Sequence, residues 1–156
     1  MSFNADDFMN QTVSGPMSTA YLLVPEGEYL ASIGTEENSV EFKSGPQKKD
    51  PTKSWVQLTV RWEIRDQSLL SQMKRDRMTV RQQFFLDLDD SGNMSTEEGR
   101  NVALGQIRAA CGLNSGPFGI SMLRGAGPAM VKIFHTPDAK DPEKKYAEVA
   151  RVAPVR

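Results

Sequence analysis

Residues 87 to 98, DLDDSGNMSTEE, place oxygen-bearing side chains at the spacing of a calcium-binding loop. An EF-hand loop has such side chains at positions one, three, five and nine, a glycine at position six and a bidentate carboxylate at position twelve. The stretch fills these positions, in that order, with Asp87, Asp89, Ser91, Ser95, Gly92 and Glu98. The residue types alone therefore allow a calcium site.

The residues around this stretch favour another interpretation. An EF-hand loop follows a helix, whereas the residues before Asp87 are rich in β-formers, and the chain has no second loop with which to pair. Turn formers at 90–93 and a helix cap use the same residue types as a calcium loop. Ser95 and Glu98 have the spacing of a capping box. We therefore interpret 87–98 as an acidic turn leading into a helix that starts near Ser95, with a weak calcium site as the alternative.

Aromatic and cationic side chains alternate on the polar faces of two predicted strands. In WVQLTVRWEIR (55–65), apolar and polar residues alternate with period two. Trp62 belongs to the apolar face of this strand, so we expect it in the core. TVRQQFFLDL (79–88) is the next predicted strand, with Val80, Phe84, Leu86 and Leu88 on one face. The opposite faces carry Trp55, Arg61 and Arg65 from the first strand, and Arg81, Gln83 and Phe85 from the second. Single-stranded nucleic acid requires flat apolar rings for base stacking and cations along a phosphate path, and this face supplies both.

Further cations would extend such a path. They are Lys43, Lys48, Lys49 and Lys53 in a predicted long loop (37–54), Lys74, Arg75 and Arg77 in a connector, and Lys132 in a later strand. Each of these residues also has a structural interpretation. Trp55 could cover a barrel end, Phe85 could pack beneath the N-terminal arm, Arg61 and Arg81 could pair with Glu63 or Asp87, and the lysines could simply be solvated.

The remaining elements complete a pattern of strands around one helix. Further strands are predicted at 28–36, 129–135 and 146–152. A helix is predicted from the spacing of Val102, Ala103, Ile107, Ala110 and Cys111, with Gly112 ending it. The order predicts a mainly β, OB-fold-like five-stranded Greek-key barrel with one helix between strands three and four, although other small barrels and α+β sheets share it. Residues 1–20 are predicted as an N-terminal arm and 21–156 as a single domain.

Composition narrows the functional classes. The net charge of −1 hides an uneven distribution, since residues 30–85 hold 10 basic against 7 acidic residues. A single cysteine excludes an internal disulfide, and a single histidine excludes histidine metal clusters. No leader or long apolar run is present, which favours a cytoplasmic protein that does not enter the membrane. Without an acid/base pair, nucleophile arrangement or phosphate-binding glycine loop, we expect no enzyme activity, cofactor or small-molecule substrate.

Several stretches resemble a family of small phage-encoded proteins. They are PEGEYLASI, WVQLTVRWEI, RQQFFLDLD with EGRNVALGQIRAACGL, and VKIFHTPDAKDPEKKYAEVARV, within about residues 25 to 152. The resemblance implies a single-stranded DNA-binding protein of DNA replication and recombination, in the cytoplasm of the infected bacterial cell. Many such proteins end in an acidic tail with an aromatic tip, whereas this chain ends ARVAPVR and is acid-rich at its N-terminal arm.

We therefore expect sequence-nonspecific single-stranded DNA binding, in a chain that could also form a homo-oligomer. The alternative is a phage structural or assembly protein that presents the same barrel face to a protein partner.

Overall fold

The computed structural model describes residues 2–18 and 21–155. Its helices are α1 (Ala5–Met9), α2 (Gln67–Met73) and α3 (Val102–Ala110). Its strands are β1 (Gly27–Ile33), β2 (Val40–Pro46), β3 (Ser54–Ile64), β4 (Thr79–Leu86), β5 (Ala129–Pro137) and β6 (Lys145–Ala153). Two short 3₁₀ helices span Glu37–Ser39 and Ile120–Leu123. The prediction of a mainly β protein is confirmed.

All six strands belong to one mixed sheet in the order β1-β5-β6-β4-β3-β2, and β1 also pairs with β3. Strands β1, β5, β6, β4 and β3 therefore form a closed ring of pairings. Every pairing is antiparallel except that of β4 with β6, which is a parallel contact through Arg81 and Glu148. Strand β2 lies outside the ring and extends the sheet beyond β3.

The core lies inside the ring and follows the alternation of β3. Leu58, Val60 and Trp62 are fully buried there, together with Ile133 of β5 and Ile107 of α3. Because successive residues of a strand point to opposite faces, the residues between them face outward. Helix α3 packs against β6 and covers that part of the sheet.

One polar side chain shares the core with these apolar residues. Gln82 of β4 is only 4% exposed, and its Oε1 accepts a hydrogen bond of 3.0 Å from Nε1 of Trp62. This bond satisfies the indole N–H, which has no access to water. The buried glutamine therefore serves the buried tryptophan.

The five predicted strands correspond to β1, β3, β4, β5 and β6, but β2 and α2 were not predicted. The long loop predicted at 37–54 is wrong, because Val40–Pro46 forms a strand that pairs with β3 over its whole length. The polar residues and the Gly45-Pro46 pair hide this strand, since strand formation depends on the neighbouring strand more than on propensity. The connector after β3 contains α2, whose N-cap Asp66 accepts a hydrogen bond from the Leu69 N–H.

The predicted helix start near Ser95 is also wrong. Helix α3 begins at Val102, and the Ser95 Oγ accepts from the Glu97 N–H in a separate turn. Asn101 sets this boundary. Its side chain bonds both backbone groups of Asp87, its own N–H donates to the Asp87 carboxylate at 2.7 Å, and its φ is +50°. Gly112, with a φ of +72°, follows the helix as predicted.

The described part of the N-terminal arm, residues 2–18, is exposed throughout. Its short helix α1 brings the rings of Phe3 and Phe8 to 5.3 Å between centroids. The first core residue is Val24, whose carbonyl accepts a hydrogen bond of 2.7 Å from Nε2 of His135 on β5. None of the helices in residues 2–18 and 21–155 is of a length and apolarity that would let it cross a membrane.

Candidate nucleic-acid interface

The outward side chains of β3 and β4 form one surface, which we call the outer face. The strand register places Gln57 opposite Phe85, Thr59 opposite Gln83, and Arg61 opposite Arg81. The two predicted polar faces thus lie side by side. Arg61 and Arg81 occupy neighbouring positions near its middle, and Trp55 and Phe85 lie at one end.

Trp55 and Phe85 form an aromatic pair in which Phe85 is exposed and Trp55 is partly buried. Their ring centroids are 6.0 Å apart with the planes at 81°, an edge-to-face contact, and Phe85 is 62% exposed. The indole of Trp55 lies across Gly45 of β2, where an added Cβ would be 2.9 Å from its Cζ2. Because Gly45 has no Cβ, the indole of Trp55 can lie directly against the backbone of β2.

The hairpin that joins β2 to β3 brings four lysines to the same end of the outer face: Lys43, Lys48, Lys49 and Lys53. The loop is held by a hydrogen bond of 2.9 Å from the Gln47 N–H to the Lys53 carbonyl. The carboxylate of Asp50 accepts from the Thr52 hydroxyl and N–H, which keeps the pKa of Asp50 below its usual value. Across residues 2–18 and 21–155, no carboxylate lies within ion-pair distance of these lysines.

The arginines of the outer face have carboxylate partners. Arg61 contacts the Glu41 carboxylate at 2.6 Å and also donates to the Asn38 carbonyl. Arg81 lies 3.4 Å from the Glu148 carboxylate and stacks over the Tyr146 ring at 5.7 Å.

At the far end of the outer face, Arg77 bridges Glu36 and Glu63, which raises the pKa of its guanidinium. The partners of Arg61 and Arg81 are Glu41 and Glu148, and not the Glu63 or Asp87 that the structural alternative named. Positive charge on the outer face is largely matched by carboxylates except at the hairpin.

Three predicted site residues lie elsewhere. Arg65 follows the end of β3 opposite to Trp55, roughly 30 Å away along the strand. Arg75 lies just beyond the end of α2, beside its C-cap Lys74. Lys132 lies on β5, which pairs with β1 and β6, and its ammonium sits 5.2 Å from the Phe134 ring centroid. The structure does not bring these three cations to the aromatic pair.

A groove of about 350 Å³ beside the outer face was not predicted. Its lining includes Tyr21, Arg81, Lys145 and Tyr146. The Tyr146 hydroxyl donates to the Asp138 carboxylate at 2.5 Å, which raises the pKa of Tyr146 and lowers that of Asp138. Tyr146 stands two residues before Glu148 in the last predicted strand, and the alternation of that strand is the signal that would have put both on one side.

In the acidic stretch 87–98, the carboxylates of Asp87 and Asp89 accept hydrogen bonds from nearby backbone N–H groups. Asp89 accepts from the N–H groups of Ser91 and Asn93, and Asp87 accepts from the Asn101 N–H. Leu88 and Met94 form a bridge across the turn. Within the described ranges, no three histidine, cysteine, aspartate or glutamate side chains are grouped so that they could hold a metal ion.

We found no family model, curated protein or solved structure that matches this chain.

Proposed function

We propose that this protein binds single-stranded DNA without sequence specificity, at the hairpin end of its outer face. The observation that carries the proposal is the Trp55–Phe85 pair, with Phe85 exposed and Trp55 partly buried, beside the four lysines of the β2–β3 hairpin. Rings of this kind stack on bases of any identity, and lysines neutralise phosphates without reading sequence. A role in phage DNA replication and recombination rests on the sequence resemblance.

The strand arrangement supports an OB-like barrel as the scaffold. The ring of β1, β3, β4, β6 and β5, the parallel contact of β4 with β6, and the position of α3 between β4 and β5 agree with that proposal. OB-folds bind oligonucleotides on their second and third strands, flanked by the loops that join strands one to two and four to five. On this scheme β3 and β4 are the binding strands, and the lysine hairpin is one of the flanking loops.

The charges restrict where phosphates would bind. Arg61 and Arg81 already contact carboxylates, so a phosphate at either position must displace Glu41 or Glu148. The hairpin lysines form no ion pair with a described carboxylate, although Asp50 lies in the same loop and Lys53 helps to lower its pKa. We therefore place the strongest phosphate contacts at Lys48, Lys49 and Lys53, with Lys43 beside the rings.

A protein partner is the second candidate for the same face. The carboxylate-paired arginines favour it, because they leave the middle of the outer face nearly neutral. Such a partner would bury Trp55 and Phe85 at the centre of an interface, where aromatic residues are the usual anchors.

The salt dependence of oligo-dT affinity tests the DNA proposal. Replacing Lys48, Lys49 and Lys53 with glutamine should weaken binding and reduce the log–log salt slope by about 2, since each phosphate contact to a single strand contributes about 0.7. The matched control removes three distant cations, Lys74, Arg75 and Lys132, and should change the slope little. Equal losses in the two triple variants would contradict the placement, and no binding at low salt would favour the protein partner.

Gly45→Ala tests the position of the indole without changing charge. The added methyl displaces the Trp55 ring, so DNA affinity should fall while the hairpin lysines remain in place. Gly105→Ala is the control, because its Cβ would meet no atom within 4 Å. An unchanged affinity in folded Gly45→Ala protein would show that no base stacks on Trp55.

A further inference from the structure

Strand β2 has a free edge. It pairs with β3 along Val40–Pro46, and no strand lies on its other side in the part of the chain that the structure describes. Residues 41 to 44 are all exposed, and Phe42 is 68% exposed although it faces the same side of the sheet as the buried Leu58. An open strand edge presents unpaired backbone N–H and C=O groups, and a second strand can bind them.

We propose that two copies of this chain associate through their β2 strands, antiparallel and edge to edge, with the two-fold axis at Phe42. The partner is a second copy because the exposed segment is complementary to itself. Around Phe42, Glu41 of one copy faces Lys43 of the other, and the same pair occurs again across the axis. Glu41 also contacts Arg61 of its own chain at 2.6 Å, so its carboxylate would lie between two cations. Opposite charges that face each other across strands stabilise pairing, whereas like charges oppose it.

The geometry selects this register over its neighbours. In a continuous antiparallel sheet, residues that face each other across two strands point to the same side of the sheet. A two-fold axis perpendicular to the sheet therefore lies between one residue and the same residue of the other copy. An axis at Glu41 would place two carboxylates opposite each other, and an axis at Lys43 would place two ammonium groups opposite each other. The axis at Phe42 instead brings two exposed rings together and makes two Glu–Lys pairs.

The association joins two outer faces on one side of a longer sheet. Taking about 4.8 Å between strands and about 3.3 Å per residue, the two Trp55 side chains would lie roughly 24 Å apart. Lys48, Lys49 and Lys53 stay uncovered, since they lie in the hairpin loop and not on the β2 edge. The inference stands without DNA binding, because it depends only on the edge of β2.

Sedimentation of charge-reversed variants tests the register. Lys43→Glu places two carboxylate pairs across the axis, and we expect its association constant to fall at least about tenfold. Glu41→Lys should do the same with two ammonium pairs, and it also removes the carboxylate that Arg61 contacts at 2.6 Å. An equal mixture should regain association, since the two carboxylates on one variant's strand then face the two ammonium groups on the other's. A monomeric wild type at all accessible concentrations, or a mixture no stronger than its components, would overturn the proposal.

Disulfide trapping provides a second readout that does not depend on charge. In a Cys111→Ser background, Phe42→Cys places two thiols opposite each other at about 4.5–5.5 Å between Cα atoms, within the range of a disulfide. Oxidation should give a covalent dimer. Ser44→Cys is the matched control, because its thiol faces Val40 of the other copy and lies roughly 13 Å along the strand from its equivalent. Equal crosslinking of the two variants would also refute the register.

Discussion

The buried hydrogen bond between Gln82 and Trp62 supports a quantitative prediction about the core. Gln82→Met keeps the length and nearly the volume of the side chain but removes the acceptor of the Trp62 N–H. The indole is 0% exposed, so its N–H has no water to replace the lost partner. A buried donor without an acceptor costs about 1–3 kcal/mol, and we expect a loss of about 2 kcal/mol. For a chain of this size, that corresponds to a melting temperature lower by about 4–8 °C.

Urea unfolding with a Trp55→Phe background isolates the fluorescence of Trp62 and measures this loss. Gln83→Met is the matched control, since Gln83 is the adjacent residue on the outer face, where its Nε2 donates to Thr59 Oγ1 at 3.0 Å. Because that site is only partly buried, its loss should be at most about 1 kcal/mol. A Gln82→Met protein within about 0.5 kcal/mol of its parent would refute the argument, and so would a control that loses as much.

Three further predictions concern the turn and the helix. Asn101→Ala removes three side-chain hydrogen bonds to the backbone of Asp87 and Ser95, and should lower the free energy of unfolding by about 2 kcal/mol. The control Asn114→Ala should change it little, and equal effects of the two substitutions would contradict the hydrogen-bond network. Burial raises the pKa of the Cys111 thiol, so less thiolate is present at pH 8. Iodoacetamide should therefore react more slowly with the native protein than with the urea-unfolded protein, and equal rates would show an accessible thiol. Millimolar calcium should leave the melting temperature unchanged, because the Asp87 and Asp89 carboxylates already bind backbone N–H groups; a clear rise would restore the calcium interpretation.

Much of the sheet could be predicted because its strands carry their own pattern. The alternation around Trp62 fixes which side chains of β3 face inward, and the same pattern recurs in β4. The adjacency of Trp55 and Phe85 followed from placing these two strands next to each other, which their order along the chain suggested. Periodicity is a local property, so it predicts faces and strand order well.

The missed features depend on contacts between distant residues. Strand β2 has a polar exposed surface, and only its pairing with β3 makes it a strand. The carboxylate partners of Arg61 and Arg81 come from β2 and β6, which no local pattern connects to β3 and β4. The start of α3 follows Asn101 because Asp87, 14 positions earlier, binds it. The sequence shows the capping spacing at Ser95 but not this contact between distant residues.

Tryptophan fluorescence during titration with a short oligo-dT tests the central claim most directly. Trp62 is sealed in the core, so quenching by a stacked base must come from Trp55, which lies half-buried beside the exposed Phe85. We predict saturable quenching that weakens with added salt, that is lost in Trp55→Phe, and that is accompanied by an affinity loss of about 1–3 kcal/mol in Trp55→Ala. Binding of the oligonucleotide with no change in Trp55 emission, or with full affinity in folded Trp55→Ala, would contradict the account.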